Sequence, residues 1–94
     1  MNKLAGFVTC KILNREQSQI GLIGVDKEYQ GKKIGTLLVQ FLENYLIDMN
    51  INILKVITEG SNISAQNFYI KNGFFVRDVK YISYLFKDDK NDPI

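Results

Sequence analysis

The sequence holds one long segment in which apolar residues recur with the period of an α-helix. Counting from the first of them, they fall at i, i+3, i+4, i+7, i+8, i+11 and i+12: Ile34, Leu37, Leu38, Phe41, Leu42, Tyr45 and Leu46. This stripe predicts an amphipathic helix that ends near 48–50. The chain has 94 residues, which is enough for a single small domain. Every other element must therefore pack around this helix.

Segments with the character of β-strands lie on both sides of the predicted helix. Segments 6–12 and 19–25 are predicted to form a hairpin across the polar segment 14–18. Segment 52–58 is short, apolar and β-branched, as expected of a strand that is buried on both faces. A strand, a helix and a strand in this order predict a βαβ unit, with 19–25 parallel to 52–58 and a right-handed crossover.

The rest of the chain predicts a second helix and two more strands. Ser61 or Asn62 can cap a helix that runs to about Asn72, and Gly73 is the residue expected just past a helix end. Segment 74–86 is aromatic and β-branched, with Arg77 and Asp78 interpreted as the turn between two strands. The domain is therefore predicted to span 1–86, and the charged segment 87–94 to be a flexible tail.

Composition excludes several classes of function. The net charge is +2 and the basic residues are scattered, so we expect neither a nucleic-acid partner nor a membrane partner. The chain has no histidine and a single cysteine, Cys10, so we expect no metal site, no internal disulfide and no histidine general base. No segment approaches the roughly 20 apolar residues that cross a bilayer, and no signal peptide is visible. These features predict a cytoplasmic protein.

The junction before the long helix is the most informative part of the sequence for function. Gly31 and Gly35 bracket the helix start, where main-chain N–H groups lack intrahelical partners and favour an anion such as a phosphate. Lys32 and Lys33 add positive charge there, although such a loop is also common as a solvated turn. The spacing fits neither a P-loop nor a dinucleotide-binding fingerprint. Glycines 21 and 24, within the preceding strand, indicate a bulge or a close approach to the backbone.

Two patterns resemble those of a known family. The segment from Gln30 to Gly35 resembles the acetyl-CoA signature of the GNAT superfamily of N-acetyltransferases, Gln/Arg-x-x-Gly-x-Gly/Ala, with Lys33 in place of the middle glycine. A second pattern is similar to the family's later helix and the strand after it: Asn62, Ala65, Phe68, Tyr69, Gly73 and Phe74. The resemblance covers roughly 4–86. It implies an α/β (α+β) fold, a mixed sheet with a central parallel βαβ unit that is short at its N-terminus.

The resemblance also implies the cofactor and the residues that hold it. Acetyl-CoA would lie between the splayed strands 19–25 and 52–58, and one set of residues would bind it: Gly24, Val25, Gln30, Gly31, Lys32, Lys33, Ile34, Gly35, Thr36 and Asn62. Tyr69 would act as the general acid toward the departing thiolate, since a tyrosine with a pKa near ~10 is protonated at neutral pH. Its alternative role is that of a core aromatic. Glu59 or water would be the general base.

The resemblance also implies family elements that this sequence does not contain. Family members usually have a strand and two helices before the part seen here, which shape the acceptor side of the groove. Without that cover, apolar surface would be exposed, so we expect a homodimer or another partner chain. The acceptor is expected to be a primary amine of a small molecule; segment 67–79 resembles acetyltransferases of nucleotide-linked amino sugars. A non-catalytic CoA-binding module and a purely structural domain remain the alternatives.

Overall fold

A computed structural model describes residues 4–79 and 82–88 of the chain. The elements follow in this order: β1 (Gly6–Ile12), β2 (Gln17–Val25), α1 (Ile34–Asp48), β3 (Ile53–Glu59), α2 (Ile63–Lys71), β4 (Phe75–Val79) and β5 (Ile82–Asp88). A short 3₁₀ turn at Lys27–Tyr29 lies between β2 and α1. The five strands form one mixed sheet in the order β1-β2-β3-β5-β4. The predicted fold class is therefore confirmed.

The parallel pair at the centre of the sheet is paired at one end only. Strands β2 and β3 are parallel, as predicted, and their register runs from Gln17 opposite Ile53 to Gln19 opposite Lys55. The buried hydroxyl of Ser18 donates to the carbonyl of Ile53 at 2.9 Å and reinforces this end. Beyond Gln19 the two strands no longer pair. Their carboxyl ends therefore diverge, and the main-chain groups of β2 beyond that point are not used by β3.

A β-bulge bends β2 just past its last pair with β3. Val8 lies opposite Ile23 while Cys10 lies opposite Ile20, so two residues of β2 face the single residue Thr9. The Thr9 hydroxyl accepts a hydrogen bond from the N–H of Leu22 at 2.9 Å. A Cβ atom at Gly21 would lie 2.8 Å from that hydroxyl oxygen, which explains the glycine. The bulge that the strand glycines predicted is present.

The core lies between the sheet and the two helices. Its buried side chains come from every layer: Ile20, Val39, Leu42, Leu46, Ile51, Leu54, Val56, Tyr69, Phe74 and Leu85. Half-buried Cys10 packs against this cluster as a small apolar residue of β1. The apolar stripe predicted for α1 is only partly buried, because Leu37, Phe41 and Tyr45 are 57%, 72% and 55% exposed. The sheet covers one side of the apolar arc and leaves the other side uncovered.

Two predictions about the end of the chain need correction. Arg77 and Asp78 do not form a turn, since both belong to β4, where Arg77 is an extra residue between the pairs that Val76 and Asp78 make with β5. The guanidinium of Arg77 lies 5.1 Å from the centroid of the Phe86 ring. This cation–π contact stabilises the charged side chain at its position in the strand. The predicted tail begins too early, because Lys87 and Asp88 are part of β5. Its remaining residues lie outside the described ranges.

Lys87 connects β5 to both helices. Its ammonium donates to Glu43 of α1 and to the carbonyl of Asn72, each at 2.6 Å. The same ammonium lies 5.8 Å from the centroid of the Phe74 ring. These contacts fix the end of α2 against α1, and hence the space between the two helices. No helix within the described residues is long and apolar enough to span a membrane.

Candidate functional site

The start of α1 is a helix end with no side-chain cap. Gly31 and Lys33 both have positive φ, 81° and 63°, and this left-handed geometry turns the chain into the helix. Lys33 is the N-cap residue and makes no capping hydrogen bond through its side chain. The first intrahelical bond runs from the N–H of Leu37 to the carbonyl of Lys33 at 3.1 Å. The N–H groups of the first helical turn therefore remain available to an anion.

The loop before α1 is attached to the end of β2. The side-chain amide of Gln30 donates to the carbonyl of Val25 at 3.2 Å. Asp26 starts the 3₁₀ turn by accepting from the N–H of Glu28 at 3.0 Å, and its own N–H donates to the carbonyl of Ala5. These bonds hold the uncapped helix start next to the diverging end of β2.

A cavity of about 560 Å³ opens between the end of β2, this loop and α2. Seven of the sequence-predicted site residues line it: Gly24, Val25, Gln30, Gly31, Gly35, Asn62 and Tyr69. The other lining residues come from β2 and from one side of α2: Ile23, Ser64, Ala65 and Phe68. The two predicted motifs, which are about 30 residues apart in the sequence, thus meet at one cavity.

A second cavity of about 380 Å³ adjoins the first. The two have five lining residues in common: Val25, Gln30, Gly31, Gly35 and Phe68. Three more predicted residues, Lys33, Ile34 and Thr36, line the second cavity, together with Tyr29 and Lys71. The two cavities are adjacent and share these walls, and we call them together the α1–α2 groove.

Gly35 explains how closely the two helices approach beside this groove. A Cβ atom at Gly35 would lie 3.1 Å from two ring atoms of Phe68, so a side chain at this position would press on α2. Gly31 differs, since no atom lies within 4 Å of its Cβ position. Gly31 is favoured by its positive φ, and Gly35 by the contact between the helices.

Tyr69 lines the first cavity. Its side chain is 5% exposed, and its ring makes edge-on contacts with the rings of Phe68 and Phe74 at 5.2 Å and 5.3 Å between centroids. Burial raises the pKa of the Tyr69 hydroxyl above its ordinary value, because the phenolate would lose hydration. Tyr69 is therefore both a core aromatic and a protonated hydroxyl at the groove, so the two roles predicted for it are compatible.

Asn62 has a structural role as well as a place on the groove. Its side-chain oxygen accepts from the N–H of Ala65 at 3.1 Å and caps α2, as predicted. The side-chain amide of Gln66 supports the same turn by donating to the carbonyls of Glu59 and Gly60.

Two residues named from the sequence do not line the groove. Lys32 is absent from both cavity walls, and its ammonium lies 5.6 Å from the centroid of the Tyr29 ring. Glu59, the candidate base, is exposed at the end of β3 and is likewise absent from both walls.

Four residues of α2 line the cavities but were not predicted as site residues: Ser64, Ala65, Phe68 and Lys71. They fall at i, i+1, i+4 and i+7, which places them along one side of a helix. Ala65 and Phe68 belong to the predicted apolar stripe, whereas Ser64 and Lys71 are polar and a search for an apolar stripe passes over them. The helical spacing itself is the signal that could have found them.

Comparison with known proteins gives a consistent result. The model of the acetyltransferase (GNAT) family matches residues 1–74. The chain is 33% identical over 73 residues to the uncharacterized protein YxbD of Bacillus subtilis, covering 78% of this chain and 44% of that protein. It is 34% identical over 70 residues to the uncharacterized N-acetyltransferase MJ1530 of Methanocaldococcus jannaschii, covering 73% of this chain and 44% of that protein.

A solved structure agrees with the sequence relatives. The PaiA N-acetyltransferase of Thermoplasma acidophilum, crystallised in complex with coenzyme A, superposes with a TM-score of 0.82 at 27% identity, over 89% of this chain and 53% of that one. The chain spans less than half the length of the two curated relatives that it matches. The family model covers most of the chain, and the fold agrees with it. This chain belongs to the GNAT acetyltransferase family.

Proposed function

We propose that this chain binds acetyl-CoA in the α1–α2 groove and forms part of an N-acetyltransferase that acetylates a primary amine. The observation that carries the proposal is the groove itself, which leads from an uncapped helix start to a buried, protonated tyrosine. Family membership supports it, as does the bound coenzyme A of the PaiA relative.

The residues of the groove fit the chemistry of coenzyme A. The N–H groups of the first turn of α1 would bind phosphate oxygens, with Gly31, Ile34, Gly35 and Thr36 forming the backbone around them. The main chain of Gly24 and Val25, at the part of β2 that β3 does not pair with, would hold the pantetheine arm. Asn62 would hold the arm from the α2 side.

Tyr69 would supply the proton in the transfer. Acetyl-CoA provides an acyl group activated as a thioester, and attack by the amine nitrogen on its carbonyl forms the amide and releases the thiolate. Tyr69 lines the cavity, and its hydroxyl is protonated at neutral pH, since its ordinary pKa is near ~10 and burial raises that pKa further. It would donate its proton to the departing sulfur. Since Glu59 does not line the groove, we propose that water removes the proton from the amine.

The acceptor and the assembly are also part of the proposal. Primary amines on small molecules are the substrate class, and nucleotide-linked amino sugars are the first acceptors to test, because segment 67–79 resembles enzymes that act on them. A homodimer or a partner chain would cover the exposed apolar side of α1. A cytoplasmic location also remains a prediction.

The test combines binding and turnover. Calorimetric titration should give saturable binding of acetyl-CoA and none of ATP, and mass spectrometry of a panel of amines should detect an acetylated product. Tyr69→Phe should leave the acetyl-CoA Kd within about twofold but lower turnover about 10²-fold, the lower limit for loss of a general acid. Tyr45→Phe, at an exposed ring on α1, is the matched control.

The outcomes separate the candidate functions. Absence of acetyl-CoA binding by the unaltered chain would contradict the proposal outright. Binding without any acetylated product would favour a non-catalytic CoA-binding module. Equal turnover by Tyr69→Phe and the unaltered chain would remove Tyr69 from the chemistry.

A further inference from the structure

Strand β1 lies at one edge of the sheet, with β2 as its neighbour among the described strands. At one end of this pair, the carbonyl of Ala5 accepts from the N–H of Asp26. At the other end, the N–H of Leu13 donates to the carbonyl of Gln17. Because main-chain direction alternates along a strand, the odd-numbered residues of β1 bond to β2. The even-numbered residues present their N–H and C=O groups at the free edge: Gly6, Val8, Cys10 and Ile12.

The exposed apolar side of α1 lies next to this free edge. A Cβ atom at Gly6 would lie 3.1 Å from a side-chain atom of Leu38 and 3.3 Å from one of Ile34, so these two residues face β1. Gly35 faces α2 instead. Three exposed residues lie beside Ile34 and Leu38 around the helix, on the side away from Gly35: Leu37, Phe41 and Tyr45. One partner can therefore cover both the strand edge and the helix side.

We propose that two copies of this chain pair through their antiparallel β1 strands, so that the two sheets become one continuous sheet and the two α1 helices pack against each other. This inference rests on the homodimer named in the proposed function and is independent of acetyl transfer. The free main-chain groups of an edge strand are a template for a strand of another chain. A second copy is the occupant because the sequence of β1 is complementary to itself in the antiparallel direction.

The complementarity follows from the register. Two free edges join only when even-numbered residues lie opposite even-numbered residues. Among such registers, the one with Thr9 on the two-fold axis pairs all seven residues of β1. Exposed Phe7 would then face exposed Lys11 of the second copy, and Val8 would face its Cys10. A ring opposite a lysine is a favourable cross-strand pair, and no two like charges face each other.

The position of α1 fits the same arrangement. Helix α1 packs against both β1 and β2, so its axis would lie roughly one strand spacing, about 4.8 Å, from the two-fold axis. The α1 helices of the two copies would then be roughly 10 Å apart, which is a normal distance between packed helices. The exposed side chains of α1 would fill the space between them.

Disulfide cross-linking tests the register. Phe7→Cys and Lys11→Cys are made singly and together, in a Cys10→Ala background that removes the native thiol. Positions 7 and 11 of one chain are about 13 Å apart along the strand, which is too far for a disulfide. In the proposed pair, position 7 of one copy faces position 11 of the other. Mild oxidation should therefore give a covalent dimer, detected by intact mass, from the double variant and from neither single variant.

Cys10→Pro tests the main-chain pairing. The N–H that it removes points away from β2, so β1 should keep its bonds to β2, as proline is tolerated on the free side of an edge strand. The dimer would lose two hydrogen bonds, so its Kd in light scattering should rise at least about tenfold relative to Cys10→Ala, which keeps the N–H. Circular dichroism checks that both variants are folded.

The outcomes separate this inference from acetyl transfer. Cross-linking by a single variant, or none by the double variant, would overturn the proposed pairing whether or not Cys10→Pro folds. A folded Cys10→Pro that dimerises as well as Cys10→Ala would also overturn it. A chain that binds acetyl-CoA but stays monomeric would contradict the pairing and leave acetyl transfer standing. A chain that pairs as proposed but binds no acetyl-CoA would do the reverse.

Discussion

Tyr69 combines at one residue two properties that usually conflict. Packing between Phe68 and Phe74 removes its ring from water, while the same residue lines the first cavity. Among the described residues no buried side-chain nitrogen or oxygen lacks a hydrogen-bond partner, so the Tyr69 hydroxyl is not a buried group without a partner. The raised pKa is a consequence of the burial of the ring.

The raised pKa of Tyr69 predicts a pH dependence of stability. In the unfolded chain this hydroxyl ionises near its ordinary pKa of about 10, and in the folded chain it ionises at higher pH. Above pH 10 the unfolded state therefore loses a proton that the folded state retains, and the free energy of unfolding falls as pH rises through the folded pKa. Tyr69→Phe should lack this contribution.

Denaturant unfolding at pH 8 to 11 measures the effect. The difference in unfolding free energy between the unaltered chain and Tyr69→Phe should be constant up to about pH 10. Above that pH the unaltered chain should lose stability relative to Tyr69→Phe. Parallel losses in the two proteins above pH 10 would refute the assignment to Tyr69. Tyr45→Phe controls for the removal of an exposed phenol.

At the level of elements, the position of α1 against α2 determines the width of the groove. Gly35 permits the contact with Phe68, and the ion pair of Lys87 with Glu43 holds the other end of the two helices together. Phe68 lines both cavities, so its ring has free space on the side of the groove. A larger residue at position 35 would therefore change the site before it changed the fold.

Gly35→Ala tests this separation of binding from stability. Alanine is favoured over glycine by about 1 kcal/mol in a helix interior, and by less at Gly35, which lies in the first turn of α1. This preference should partly offset the strain of moving Phe68, so the free energy of unfolding should change by less than about 1 kcal/mol. Acetyl-CoA affinity should fall at least fivefold as the ring enters the groove. Calorimetry and denaturant unfolding give the two quantities; unchanged affinity would show that Phe68 does not move into the groove.

Gly31→Ala is the matched control, because its expected defect has a different cause. The positive φ of 81° at this position should cost about 1 kcal/mol of stability with any L-residue, while no neighbouring atom lies in the way of the new methyl group.

At the scale of the whole molecule, the described elements leave apolar surface of α1 exposed. Leu37, Phe41 and Tyr45 recur at i, i+4 and i+8 along α1, and each is more than half exposed. Contiguous apolar surface of several hundred Å² on a protein usually marks an interaction site. Both curated relatives are more than twice as long as the segment that this chain matches. In these two relatives, further polypeptide therefore accompanies this core.

We therefore expect the isolated chain to associate through this side of α1. Size-exclusion chromatography with light scattering should give a dimer that dissociates on dilution. For comparison, a stable protein–protein interface buries about 800 Å² on each partner. Phe41→Glu should shift the equilibrium to monomer, and Gln40→Glu, which adds the same charge at a neighbouring exposed residue, should not. A monomer at all concentrations for the unaltered chain would contradict the expected homodimer.

The sequence by itself determined those features that depend on residues close together in the chain. The period of the apolar residues located α1, Asn62 and Gly73 marked the ends of α2, and two strand-like segments around a helix required a parallel pair. Each follows from local geometry, namely 3.6 residues per turn, an unsatisfied N–H at a helix start, or a left-handed backbone at its end. The family patterns added the expectation that these elements meet at a ligand.

Only the tertiary structure decided which side of each element faces which neighbour. It placed Lys71 beside Lys33 and left Lys32 outside the groove, exposed one side of the apolar arc of α1, and made Arg77 a bulge in a strand and Lys87 a link between layers. These outcomes depend on contacts between residues that are distant in sequence. No local pattern encodes them, because the same helix or strand can present either side until the elements around it are packed.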